Sequence, residues 1–535
     1  MNIKINIPKI IITLAVILLA APAALPAAEP GKAATKPNIL IILVDDMGYS
    51  DIGCYGGEIN TPNIDRLAAN GLKFSQLYNT AKCYPTRASL LTGVYFQRTD
   101  RDFSHTATLG EVLRPAGYTT LWSGKHHARF NPVTRGYDRY YGMIGGAENH
   151  FNPGSKAGPG QPAPAGSGGG ARWSLDGEEV KDFIPQDPKF YDTDAFTDWA
   201  LEWLNEYEKP DKPFLLYMAY TAPHWPLQAW PEDIAKYKGV YDGGYEAVRL
   251  ARYQRQIKLG LIDPKTAPLP PMEYGKKNPK KWSDLAPDER RHEAMKMEIY
   301  AAMVDRVDQN IGRLLQRLKE QGKLDNTLIL FLADNGACAE NPKVNNVDPA
   351  APMGSVGSFV SYGQNWASVG NTPLRKWKQD SFEGGINTPL VVHWPAGLKP
   401  QTGWNREPAH LIDIMPTLVA VSGAKYPGVS KQANIPPMDG VSLLPALNGE
   451  PLARQNPLFF QFAKGSAMRD GQWKLVRQGP TWELYDLAAD RNELHDVSAE
   501  RPDLVAKMDA RWLAWWKDCT GKEWTGTPPK EKAED

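Results

Sequence analysis

The sequence predicts an α/β protein: a large doubly wound, mostly parallel sheet sandwiched by helices, followed by a smaller C-terminal antiparallel sheet plus helix. Continuous aliphatic runs of strand length carry the first part, because a strand covered on both faces has no polar side to alternate. Such runs recur at Pro37–Val44, Phe214–Tyr220, Thr327–Leu332 and Leu390–Trp394, separated by stretches with helical spacing. Beyond about residue 450 the texture changes to short alternating runs, Trp473-Lys474-Leu475-Val476 and Glu483-Leu484-Tyr485-Asp486. A Trp-rich helical stretch from Leu504 to Trp516 closes the chain. The expected division is a leader at 1–28, a large domain over 37–445 and a small one over 450–535.

In order, Pro37–Val44 is the first buried strand and ends in Asp45-Asp46. Thr61, Pro62, an apolar stripe and Gly71 have the cap, first-turn proline and stop of a helix. Cys83–Gly93 is the next helix, and Leu109–Leu113 another, stopping near Gly117. Tyr118–Trp122 reads as a strand, followed by Gly124-Lys125-His126-His127. The Gly/Pro/Ser-rich span 151–172 is an exposed loop placed to rim a substrate site. Phe196–Tyr207 is helical, and the strand Phe214–Tyr220 exits through Pro223-His224-Trp225-Pro226. The polar stretch 241–290 is an insertion with some helix. From Glu293, apolar residues at Ile299, Met303, Val307, Ile311, Leu314 and Leu318 mark one long amphipathic helix. After Thr327–Leu332 come Asp334-Asn335, an irregular segment over 340–375, the strand Leu390–Trp394 and a helix around Ile412–Val421.

Basic and acidic residues balance at 61 each, so no basic field is available to attract nucleic acid and any positive site must be local. Lys4 and Lys9 precede an apolar run, Ile10–Ala20, and small residues follow it, which makes 1–28 a secretory signal peptide. The run is shorter than the ~20 apolar residues of a membrane span. The mature protein is therefore expected to be exported, periplasmic or secreted, with no stable membrane span. Four cysteines, Cys54, Cys83, Cys338 and Cys519, are too few and too scattered to form a disulfide framework.

Chemistry gathers first at Cys83-Tyr84-Pro85-Thr86-Arg87. Pro85 suits a first helical position, which places Cys83 at a helix N-terminus where unpaired amides and the dipole favour an anion. Arg87, four residues on, adds a charge to the same face. In open parallel sheets ligands bind beyond the carboxyl ends of the strands. Four expected strands end there in functional groups: Asp45-Asp46, Lys125 with His127, His224, and Asp334-Asn335. Three carboxylates and an amide carbonyl form a hard oxygen shell suited to Ca²⁺, with Mg²⁺ the second choice.

Cys83-Tyr84-Pro85-Thr86-Arg87 with its following Leu91-Thr92-Gly93 resembles the signature of the sulfatases, formylglycine-dependent members of the alkaline phosphatase superfamily. Asp45, Asp46, Asp334 and Asn335 match that family's metal ligands, and Gly124-Lys125-His126-His127 its Gly-Lys-x-His, with His126 in place of the usual Trp. Pro223-His224-Trp225-Pro226 is similar to the family's later histidine motif. Asn371–Lys378, ending in Glu383-Gly384-Gly385, looks like the arylsulfatase segment whose lysine stands five residues before Glu-Gly-Gly. That register selects Lys378, with Lys376 as its rival.

The resemblance implies that a maturation enzyme oxidises Cys83 to formylglycine (3-oxoalanine), whose hydrated aldehyde is the nucleophile and a ligand of the divalent cation. Arg87, Lys125, Lys378 and His224 would stabilise charge on the sulfate, and His224 and Lys378 would protonate the leaving oxygen. His127 would be the base that releases sulfate as the aldehyde re-forms, an exit closed to serine, which has one oxygen. The implied activity is hydrolysis of sulfate monoesters of aryl alcohols or carbohydrates. A phosphonate monoester or phosphodiester hydrolase on the same fold is the enzyme alternative, and a non-catalytic binder of sulfated glycans the alternative of another class.

Overall fold

The computed structural model describes residues 36–526 except 167–170, 210–211, 276–279, 400–402 and 428–434. The expected leader at 1–28 lies outside the described residues. Strands are numbered in chain order. The large sheet runs β10 (Trp404–Asn405), β2 (Leu72–Tyr78), β9 (Asn387–His393), β8 (Thr327–Ala333), β1 (Asn38–Val44), β7 (Phe214–Ala219), β3 (Thr119–Gly124), β4 (Arg139–Met143), β5 (Trp173–Leu175) and β6 (Glu178–Val180). A short β11 (Ala409–His410) lies beside β2. From β8 through β1, β7 and β3 to β4 all neighbours are parallel, whereas β9 runs antiparallel to both β2 and β8.

The alternation within β1 shows why the sheet is covered twice. Leu40, Ile42 and Val44 enter one core with Ile64, Phe196, Trp203 and the long helix Pro287–Glu320. Ile39, Ile41 and Leu43 enter another with Leu90, Leu91, Leu113, Met415 and Leu418. At about 1.5–3 kcal/mol for each large side chain removed from water, a strand apolar on both faces can sit only between two helical layers.

Several local expectations are refined. The long helix begins at Pro287 rather than Glu293, with proline in its first turn. The helix Pro62–Ala69 has no side-chain cap from Thr61; Asp308 of the long helix instead accepts from the Asn63 and Ile64 amides, at 3.1 and 2.8 Å. The irregular stretch 340–375 includes the helix Gly363–Gly370. Strands β2 and β4 and the β5–β6 hairpin had no strand-like run to announce them: Lys73, Ser75 and Gln76 break β2, yet pairing with β9 holds it extended.

The C-terminal sheet is antiparallel, in the order β12 (Leu458–Phe462), β13 (Gly465–Asp470), β14 (Trp473–Arg477), β15 (Glu483–Asp486). One face carries Met468, Leu475 and Leu484 against Met508, Trp512, Trp515 and Trp516 of the helix Pro502–Thr520. The other carries Phe460, Ala467 and Val476 against Tyr84, Phe382 and Ile386, which flank strands of the large sheet. Between them Lys474 is wholly buried and pairs with Glu383 at 2.9 Å and Glu493 at 2.7 Å. The small sheet is thus packed directly behind the segments that bear Cys83 and Lys378.

Candidate active site

Register decides where the functional groups meet. Val44 pairs with Ala333, Leu43 with Ala219, and Gly124 also with Ala219. The strands β1, β8, β7 and β3 therefore end level, and the residues just past them, Asp45, Asp334, Tyr220 and Lys125, share one rim. Asp46 takes a left-handed backbone, φ 66°, which a short polar side chain tolerates.

The helix Cys83–Thr92 points its N-terminus at this rim, and every residue of it is buried. It starts two residues earlier than the position of Pro85 suggests. Cys83 is the first helical residue and Pro85 the third, still among the four amides without a helical acceptor, so the proline costs nothing there. Gly93 ends the helix in the left-handed conformation at φ 74°. Arg87 donates from Nη2 to Asp334 Oδ2 at 2.9 Å, lies 3.5 Å from Asp45 Oδ2, and donates from Nη1 to the Lys125 carbonyl at 3.3 Å. Burial opposes its charge, but Asp334 and Asp45 outweigh it and keep the guanidinium protonated.

Lys125 Nζ bonds Asp45 Oδ2, and Lys378 Nζ lies 2.7 and 2.9 Å from the two oxygens of Asp46. Lys376 turns away to Glu273. Burial disfavours the Lys378 ammonium, yet Asp46 leads a group of neighbours that push its pKa well up. His224 Nδ1 sits 2.7 Å from the Trp225 carbonyl, which can only accept, so Nδ1 carries the proton and Nε2, 3.4 Å from Asp46 Oδ2, has the lone pair. Burial pushes His224 down to about 4 against the pull of Asp46. His127 is buried, with φ 60°; desolvation, then Lys125 and Arg87, hold it well below the usual histidine range. Gly146 faces it, and a methyl there would stand 2.6 Å from Nε2. Burial also raises the Cys83 thiol despite Lys125, Lys378 and Lys82, so an unmodified cysteine stays neutral here. His126 behaves as an aromatic core residue, ring to ring with Phe130 at 4.4 Å and Trp122 at 4.9 Å.

The oxygen donors fit a hard cation. Asp46 accepts from Asn335 Nδ2 at 2.7 Å, and Asp334 Oδ1 accepts from the Asp46 amide at 3.2 Å. Among the described residues, Asp45 Oδ1 and Asn335 Oδ1 are buried with no hydrogen-bond partner, an arrangement that costs free energy unless something else coordinates them. Burial, then the neighbouring Asp45, push Asp334 up to about 7, the response of a carboxylate crowded by others. Ligand atoms of Asp45, Asp46 and His224 also fall within 4.8 Å of one another.

Cys83, His127 and His224 line a cavity of about 640 Å³ together with Trp225, Lys82, Arg101, Arg129 and Arg172. A larger cavity of about 1050 Å³, around Trp230, Ile234, Met295 and Met353, contains none of the expected site residues and lacks their chemistry. Two further groups stand against the site. Glu340 takes Lys82 at 3.0 Å and the Trp225 indole N–H at 3.2 Å, and lies 3.6 Å from Lys378. His150 lies behind His224, with Nε2 3.0 Å from its carbonyl and Nδ1 2.8 Å from Asp192 Oδ2. Neither carries a sequence signal: Glu340 stands in an irregular stretch, and Asp192 reads as an ordinary first-turn acid of the helix Asp192–Glu206.

Residues 37–424 match the family model described as Sulfatase, and 377–513 one described as N-sulphoglucosamine sulphohydrolase, C-terminal. The chain is 32% identical to an uncharacterized sulfatase of Schizosaccharomyces pombe, over 90% of this chain and 93% of that one. It is 34% identical to an arylsulfatase of Klebsiella aerogenes, over 76% of this chain and 91% of that one. The crystal structure of Ps i-CgsB in complex with k-i-k-neocarrahexaose matches with a TM-score of 0.63 at 27% identity, covering 92% of this chain and 95% of that one. The phosphonate monoester hydrolase of Agrobacterium radiobacter shares the fold alone, at a TM-score of 0.56 and 20% identity over 90% of this chain and 96% of that one. With its family model spanning most of the chain and homologues that are arylsulfatases, this protein belongs to the sulfatase family and is a sulfuric ester hydrolase.

Proposed function

We propose that this protein is an exported sulfatase that releases inorganic sulfate from monoesters of sulfated carbohydrates, cleaving aryl sulfates as well. The observation that carries this is position 83: a buried helix start on the floor of a cationic cavity, beside a carboxylate cluster with two uncoordinated oxygens. The likeness to a structure solved in complex with k-i-k-neocarrahexaose supports the carbohydrate class.

Asp45, Asp46, Asp334 and Asn335 would hold Ca²⁺, which supplies neutralisation of the sulfate oxygens and activation of the nucleophile. Cys83, if oxidised to formylglycine by a maturation enzyme, would supply a hydrated aldehyde in place of a thiol and would be a further ligand of that cation. The chain's own residues do the rest. Arg87 and Lys125 hold Asp45 and Asp334 in place and set a positive field under the sulfate. Lys378, kept protonated by Asp46, is the proton donor to the leaving oxygen. His224, neutral with its lone pair at Nε2, can donate to that oxygen only once Nε2 is protonated. His127, neutral and in the cavity wall, is the base for sulfate release.

Mass spectrometry of the peptide bearing residue 83 tests the nucleophile: active protein should carry the aldehyde, and an intact thiol in fully active enzyme would refute it. Turnover of 4-nitrophenyl sulfate should exceed that of the matching aryl phosphonate; the reverse order would reassign the reaction.

A further inference from the structure

The mouth of the cavity carries a charge pattern that release of a single sulfate does not require. Its lining includes Lys82, Arg101, Arg129 and Arg172 and no carboxylate, in a chain whose basic and acidic residues balance at 61 each. Lys82 is engaged by Glu340 at 3.0 Å. Arg172 reaches only Glu179, at 4.0 Å with half its side chain exposed, and Arg101 and Arg129 have no carboxylate partner among the described residues.

These arginines come from three separate segments, with the Arg101 side chain set against Tyr84 and the backbones of Arg129 and Arg172 tied to the cavity wall. The Arg101 guanidinium lies 4.3 Å from the centre of the Tyr84 ring, next to Cys83. The Arg129 amide donates to the Arg101 carbonyl at 3.1 Å, and the Arg172 carbonyl accepts from Ile144, in the cavity wall, at 2.9 Å. Like charges gathered at one opening repel one another, a cost that a bound anion reverses. Arg87, Lys125 and Lys378 below are already committed to carboxylates.

We propose that this mouth is a subsite for a second anionic group, so that the preferred substrate is a saccharide with another sulfate or a carboxylate beside the ester being cleaved. This rests on the sulfatase reading of position 83. Arg101 and Arg129 are its specificity-determining residues, since a guanidinium matches the planar or tripod oxygens of either anion.

The test is steady-state kinetics of the mature enzyme on 4-nitrophenyl sulfate, a monosulfated disaccharide, its disulfated form and a monosulfated disaccharide containing a uronate. A second anion should raise kcat/KM about tenfold or more, and the advantage should shrink as ionic strength rises. Arg101→Gln and Arg129→Gln should each lower kcat/KM on the doubly anionic substrate, through KM, about tenfold more than on 4-nitrophenyl sulfate. Arg101→Lys and Arg129→Lys, which retain the charge, should keep part of the preference and verify that the fold is intact. The sulfate and uronate arms identify which anion is read. Wild-type indifference to the second anion, or equal losses on all substrates, overturns the subsite and leaves the sulfatase reading standing. A protein that carries formylglycine yet cleaves none of these esters overturns both.

Discussion

Arg87 and Asp334 meet at 2.9 Å with neither side chain exposed to solvent, and this pair joins the helix that starts at Cys83 to the end of β8. A buried pair loses about 3–5 kcal/mol when one partner is removed, because the other charge is left uncompensated. Arg87→Ala should therefore lower unfolding free energy by about that amount and abolish turnover. Denaturant unfolding checks the first effect; a change under about 1 kcal/mol would show that Asp334, already pushed up to about 7, takes up a proton once Arg87 is gone.

Lys378 and its neighbour Lys376 should separate by function. Lys378→Ala removes a buried donor from Asp46 and is expected to cost about 10²-fold or more in kcat. Lys376→Ala breaks a half-buried pair with Glu273 and should stay within about threefold. Comparable losses in the two variants would contradict the assignment.

Chelation should remove activity and lower the thermal midpoint, since the partnerless oxygens of Asp45 and Asn335 then go unsatisfied. Added Ca²⁺ should restore the wild type but not Asp45→Ala at ordinary concentrations. Near-normal turnover of that variant would count against a cation at this position.

Glu383, beside β9 of the large sheet, pairs with Lys474 of the small sheet and with Arg491 just beyond it. Burial opposes its charge, but Arg491 and Lys474 hold its pKa far below the usual 4.5. A depressed carboxyl pKa contributes stability that is fully present above about 4.5 and is lost as pH falls toward the folded value. The thermal midpoint should fall between about pH 5 and pH 3, and more steeply than in Lys474→Met, whose overall stability should be lower by about 3–5 kcal/mol. Parallel pH profiles would sink the assignment.

His150 has the opposite sign. Both ring nitrogens face acceptors, Asp192 and the His224 carbonyl. Burial works against the cation, but Asp192 and these hydrogen bonds outweigh it and raise the pKa. The contribution should be whole below about pH 6.5 and be lost as pH rises through the folded value. The gap in thermal midpoint between wild type and His150→Phe should therefore narrow from pH 6 to pH 9. A gap that widens would mean that His150 is neutral in the fold.

The fold class was legible because burial on both faces leaves a plain mark: runs such as Ile39–Leu43 have no polar alternation, and only a doubly covered sheet accepts them. Strand β2 left no such mark, since Lys73 and Gln76 are partly exposed and its extended form depends on β9. The reactive segment was legible through its short-range pattern, whereas Glu340 and His150 were not, because their roles depend on partners up to 258 residues away.

By itself the sequence determined the kinds of element and the inventory of chemical groups, because local spacing governs burial and a motif preserves its own neighbours. Only the tertiary structure decided which groups meet. The level ends of β1, β3, β7 and β8 bring the carboxylates to one rim, the turn at 376–378 sends one lysine to Asp46 and the other to Glu273, and packing alone assembles three arginines over Cys83. Long-range register and electrostatic pairing are properties of chain segments in contact, and no single stretch of residues contains them.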